Sequence, residues 1–116
     1  MPIGRFQAVA HPLADCATRV EGRELLAWEA AWAESGETER FEELCSMAFV
    51  FAAQTAEQTT AVSLHTHGGY GVSLEYDIQL FYRRARAWSL VGGGARNELL
   101  KLADIRLGHA QGTEAF

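Results

Sequence analysis

Ala61-Val62-Ser63-Leu64-His65-Thr66-His67-Gly68-Gly69-Tyr70-Gly71 ends a long stretch free of glycine and proline and then turns the chain sharply. Upstream of it, Phe41, Leu44, Ala48, Phe51, Thr55, Thr59 and Val62 recur at three- and four-residue steps, the spacing of one helical face. The helix is expected to start after Thr38, an N-cap followed by Glu39, Glu42 and Glu43 at the positive end of the helix dipole. It is expected to stop near His67, because two glycines follow. Between Gln54 and Thr60 the residues are small or polar, which suits either close approach of a neighbour or an exposed face.

The same periodicity extends to both sides. From Phe6 to Glu34, the residues Phe6, Val9, Leu13, Cys16, Val20, Ala27 and Ala31 define a helical face, and Leu25, Trp28 and Trp32 define a second stripe. Pro12 lies early in this helix, as a kink or a first-turn marker, and Gly36 is expected as a left-handed cap. Downstream of the turn, Ile78, Phe81, Tyr82, Ala85 and Trp88 are spaced for a third helix, with Arg83, Arg84 and Arg86 among them. Gly92-Gly93-Gly94 breaks the chain again. A fourth helix from Ala95 to about Leu107 places Leu99, Leu102 and Ala103 together, and a polar tail from His109 follows. The expected fold is all-α, an up-and-down bundle of about four helices, with residues 1–108 as one domain and 109–116 as the tail.

The 116 residues suffice for one domain with its own core, and 48% hydrophobic against 22% charged residues is ordinary globular composition. The net charge of -5 gives little attraction for nucleic acid or anionic lipid. Residues 1–74 carry 4 Arg or Lys against 10 acids, whereas residues 75–106 carry 6 against 4, so by charge alone the C-terminal half is the better place for an anionic ligand. No apolar run is long enough to span a bilayer, and no signal peptide is evident. Cys16 and Cys45 read as reduced thiols of a cytoplasmic protein.

Chemistry concentrates at His65-Thr66-His67-Gly68-Gly69-Tyr70-Gly71. Glycines after a helix let a ligand approach main-chain N–H groups without meeting a Cβ, which suits a phosphate or pyrophosphate. A helix C-cap with two surface histidines explains the same residues. His-x-His is a usable metal pair, but no third ligand stands at a convincing spacing. Gly92-Gly93-Gly94 lacks the Lys-Ser/Thr ending of a nucleotide-binding loop, so a tight interhelical connection is the simpler account. Arg83, Arg84 and Arg86 make either an anion patch or a solvated face paired with acids such as Asp77.

Together these segments resemble the C-terminal helical domain of the acyl-CoA dehydrogenase family, from Ile3 to Gly108 in one unbroken order. Gly4-Arg5-Phe6-Gln7, then Leu13-Ala14-Asp15, resembles the family's G-x-F-Q-x-x-x-x-x-L-A-D helix start. His67-Gly68-Gly69-Tyr70-Gly71, then Glu75-Tyr76, then Tyr82-Arg83 with Ala85-Arg86, resembles its H-G-G-x-G, E-Y and R-D-A signature. The resemblance implies a three-domain flavoprotein that oxidises the Cα–Cβ bond of an acyl-CoA thioester. FAD takes the hydride, a carboxylate removes the α-proton, and dimers or tetramers form through this bundle. It further implies FAD contacts at Gln7, His65, Gly68 and Gly69.

Three departures qualify the resemblance. The two preceding domains and the bundle's first helix have no counterpart in these residues, which is expected of a fragment or truncated product. Their loss is expected to leave an apolar groove that seeks a partner. Gly92 stands where many members carry the catalytic glutamate, and glycine abstracts no proton, so no catalytic residue is assigned. Gly94 and Arg96 replace a threonine and a glutamine near the flavin, and Arg84 replaces an aspartate. The chain is therefore expected to be an oligomerising, FAD-contacting domain that is colourless and inactive alone. The alternatives are a base-free subunit paired with a paralogous dehydrogenase, and an unrelated helical protein binding a small anion.

Overall fold

A computed structural model of the chain describes residues 1–36 and 38–113, with side chains described except at Thr38 and 109–113. Four helices carry the fold: α1 (Gln7–Gly36), α2 (Thr38–Thr66), α3 (Ile78–Trp88) and α4 (Gly94–Thr113). Short 3-10 turns span Ile3–Arg5, Gly68–Val72 and Val91–Gly93. No strand occurs among the described residues. No helix there is long and apolar enough to cross a membrane.

Helix α2 is the centre of the molecule, and α1, α3 and α4 all pack on it. The α1–α2 pair is antiparallel. Leu26, Ala30 and Ala33 meet Phe41, Leu44 and Ala48 at one end, Gly22 lies against the Phe51 ring in the middle, and Val9 and Pro12 meet Val62 and His65 at the other. On another side of α2, α3 covers Phe49 to Glu57, and α4 covers Phe41 to Ser46. The result is 65 × 27 × 27 Å with a radius of gyration of 18.1 Å, against about 13 Å for a compact domain of this length.

The sequence places the inner face of α1 out of phase. Ala27 and Ala31 are exposed, whereas Ala30 and Ala33 are buried, 6% and 0% exposed. The packed seam repeats every seventh residue along two tracks, Val9, Cys16, Arg23, Ala30 and Pro12, Arg19, Leu26, Ala33. Two arginines stand inside that seam, and the Arg19 guanidinium lies 5.0 Å from the Phe51 ring centroid. That contact, with the stem packed along the helix, is how a charged residue occupies an otherwise apolar track. Leu25, Trp28 and Trp32 fall opposite this seam and are 70%, 67% and 58% exposed.

Elsewhere the expected boundaries shift slightly. Gly36 is the last helical residue of α1 and is not left-handed. Thr38 opens α2, and the cap expected of its side chain lies outside the described residues. Thr55 is 1% exposed while Gln54 and Gln58 are exposed, so the polar stretch of α2 is divided between close packing and solvent. Helix α4 turns Glu98, Leu102 and Ile105 toward α2, while Leu99 and Ala103 are exposed. It continues to Thr113, and the last three residues of the expected tail lie outside the described part.

Candidate functional site

The end of α2 and the start of α1 form one corner of the molecule. Gln7 is the first residue of α1 and is exposed there. Beside it, Ala8, Val9 and Pro12 face Ala61, Val62, His65 and Thr66 across a groove of about 580 Å³. Residues nearly sixty positions apart thus share a site because the two long helices are antiparallel. Pro12 is inside α1, so it donates no N–H to the Ala8 carbonyl, which loses its helical partner at the groove wall.

The two histidines have different roles in this corner. The His67 ring bonds through Nδ1 to the Ser63 carbonyl at 2.7 Å, with Nδ1–H as donor, and the Thr66 hydroxyl donates to the Val62 carbonyl at 2.8 Å. The Ser63 carbonyl also accepts the His67 N–H at 3.2 Å, so the ring adds a second bond to a carbonyl of the last turn. His67 is therefore the capping histidine of the simpler account, and His65 is the one lining the groove. Gly68 then reverses the chain at φ +62, and a Cβ on Gly68 or Gly69 would meet nothing within 4 Å. Any ligand at this corner can reach their main chain unhindered. Gly71 differs: it is buried, and a Cβ there would run into the Leu64 carbonyl oxygen. The Tyr70 and Tyr76 rings meet at a tilt of 58°, centroids 5.1 Å apart, across the turn.

Arg86 pairs with Glu57 of α2 at 2.9 Å rather than with Asp77, and Arg83 bonds to Gln79 at 3.3 Å. Glu57, Arg83 and Arg86 line a cleft of about 450 Å³ with Tyr82, Ala87 and Leu90. The Gly92-Gly93-Gly94 joint is left-handed at all three residues, with φ 69, 99 and 79. Asn97 reaches back from α4 to the Gly92 carbonyl at 3.4 Å. No side chain in this joint can serve as a base. Sequence reasoning missed Ala8, Pro12 and Thr66 as groove residues; the mid-helix proline was the available signal.

The α2–α4 contact carries acids rather than a ligand set. Ser46 donates to Glu98 at 2.9 Å, Lys101 donates to Glu98 at 2.7 Å, and Arg106 pairs with Glu43. The bonds from Lys101, then Ser46, hold the Glu98 carboxyl below its usual range. Cys45, next to this contact, has its thiol pushed up by partial burial, then by Glu34 and Glu42. No group of three or more His, Cys, Asp or Glu among the described residues could hold a metal ion.

The model of the acyl-CoA dehydrogenase C-terminal domain matches residues 1–104. Benzylmalonyl-CoA dehydrogenase of Aromatoleum aromaticum is 38% identical over 101 residues, 87% of this chain and 26% of that protein. The 3-(aryl)acrylate reductase of Clostridium sporogenes is 34% identical over 103 residues, 88% of this chain and 27% of that one. A solved structure of a variant of the steroid ACAD Tcur3481-Tcur3483 shares the fold with a TM-score of 0.86. It is 32% identical, over 95% of this chain and 30% of that chain. The chain thus spans under a third of the relatives it matches. Composition, motif order and helical architecture agree with these matches, and the chain belongs to the acyl-CoA dehydrogenase family, whose C-terminal domain it matches.

Proposed function

We propose that this chain is the oligomerisation and FAD-contacting C-terminal domain of an FAD-dependent acyl-CoA dehydrogenase acting in the cytoplasm. The carrying observation is the groove in which Ala8, Val9 and Pro12 face Val62, His65 and Thr66, with Gln7 next to it at the start of α1 and Gly68-Gly69 just past the end of α2. Its residues fit the adenine–pyrophosphate end of the cofactor. Gly68 and Gly69 leave their Cβ side open, and the first turn of α1 brings the positive end of its helix dipole to this corner. In this reading the Gln7 amide and the His65 imidazole orient the cofactor, and the two glycines let it lie close. FAD held there would supply the hydride acceptor for the substrate's Cβ. No residue of this chain removes the α-proton, because Gly92 occupies the family position of the base.

The outer stripe of Leu25, Trp28 and Trp32 supports assembly, since exposed apolar surface of that size usually finds a partner. A homodimer or homotetramer is the leading assembly. The second reading is a base-free subunit whose partner is a base-bearing paralogous dehydrogenase. The glycine joint favours it, since all three residues have left-handed φ and none carries a side chain.

The test is to purify the chain alone and after co-production with a base-bearing dehydrogenase chain. Each sample is then assayed for flavin and for acyl-CoA-dependent dye reduction. The chain alone is expected to be colourless and inactive, and a yellow preparation that turns over by itself would sink the proposal. Stable co-purification with recovered activity would select the second reading over the homo-oligomer.

A further inference from the structure

Glu57, on the middle of α2, is used by no part of the corner described above. One of its carboxylate oxygens accepts from the Ser89 hydroxyl at 2.5 Å and the other accepts from the Arg86 guanidinium at 2.9 Å. Ser89 is 7% exposed and stands immediately after α3, where its N–H still bonds to the Ala85 carbonyl at 3.1 Å. The Ser89 carbonyl in turn lies 3.4 Å from the Cβ position of Gly94, the first residue of α4. The Gly93 N–H returns to the Leu90 carbonyl at 3.3 Å. A single carboxylate therefore ties the central helix to the last turn of α3, and that turn abuts the start of α4.

What lies between is the least constrained backbone in the chain, three consecutive glycines with left-handed φ. A joint of that kind takes its direction from its anchors rather than from its own residues. On the α4 side the anchors are Ser46 to Glu98 and Glu43 to Arg106, with Asn97 holding the Gly92 carbonyl. On the α3 side Glu57 supplies the side-chain bonds across to α2, while the Ser89 hydroxyl also lies 2.9 Å from the Arg86 carbonyl within α3.

We propose that Glu57 is the positioning residue of the α3–α4 joint. It fixes Ser89 and Arg86, and through them sets where the Gly92–Gly94 backbone sits. Its bearing on the cofactor rests on the reading above, in which Gly92 of that joint occupies the family position of the base.

Hydrogen exchange on the full 116-residue chain tests it. In Glu57→Ala the amides from Ser89 to Arg96 should exchange about tenfold faster or more, the loss expected for bonds to a charged group, while the α1–α2 amides keep their rates. Ser89→Ala should reproduce the effect at the joint, and Glu57→Gln, which keeps an acceptor for Ser89, should recover most of it. Unchanged rates at the joint, or an equal acceleration across all helices, would overturn the proposal. The flavin reading fails separately. A joint loosened in Glu57→Ala, with an unaltered flavin spectrum in the active co-complex, supports the brace and removes its link to the cofactor.

Discussion

Two glycine runs, Gly68-Gly69-Tyr70-Gly71 and Gly92-Gly93-Gly94, look alike in sequence and do different work. In the first, only Gly68 is left-handed, and Gly71 is required because it packs against the Leu64 carbonyl. In the second, all three are left-handed, Gly92 has nothing within 4 Å of its Cβ position, and a neighbour's side chain or carbonyl abuts the other two. The first run is a packed turn that delivers a chain reversal at a candidate binding corner. The second is a joint whose geometry is set by its surroundings. Glycine therefore marks a steric requirement in one place and conformational freedom in the other.

The largest expected effect separates the two. Gly71→Ala drives a methyl into backbone and should cost about 3 kcal/mol, the upper part of the usual range for overpacking. Gly92→Ala meets only the left-handed strain of a side chain, about 1 kcal/mol. Chemical denaturation of both variants checks the order, and equal costs would break the distinction.

A smaller effect concerns the clasp that holds α4 beyond the joint. Glu98 has its carboxyl lowered by Lys101 and Ser46, so its contribution is present above the unfolded-state pKa and is lost as pH falls through the folded one. Stability followed from neutral to acid pH should decline less steeply in Glu98→Gln than in the parent chain. The smallest effect is kinetic. With its thiol raised by partial burial, Glu34 and Glu42, Cys45 should alkylate more slowly at mildly alkaline pH than a cysteine in a short peptide.

Helix number, helix order and the glycine breaks were legible because they depend on local features: periodic apolar residues, a C-terminal Gly68 and an unbroken α2. The packed face of α1 was not. That helix has apolar residues on two opposite sides, and its true seam includes Arg19 and Arg23, which a search for apolar stripes discards. Alanines at 27, 30, 31 and 33 left the phase undetermined, and only contact with Leu44 selects Ala30 and Ala33. The corner was legible in part. His65 and the glycines were visible as a cluster, but the division of labour between His65 and His67 depends on the last turn of α2. Glu57 carried no sequence signal, since its partners lie about thirty residues away on α3.

The most direct test of the account is a light-scattering mass taken together with an absorbance scan across the flavin bands on one sample of the 116-residue chain. The account predicts an oligomer without flavin: the Trp28–Trp32 stripe finds a partner while the cofactor site stays incomplete. A monomer carrying close to one flavin per chain would contradict it on both counts.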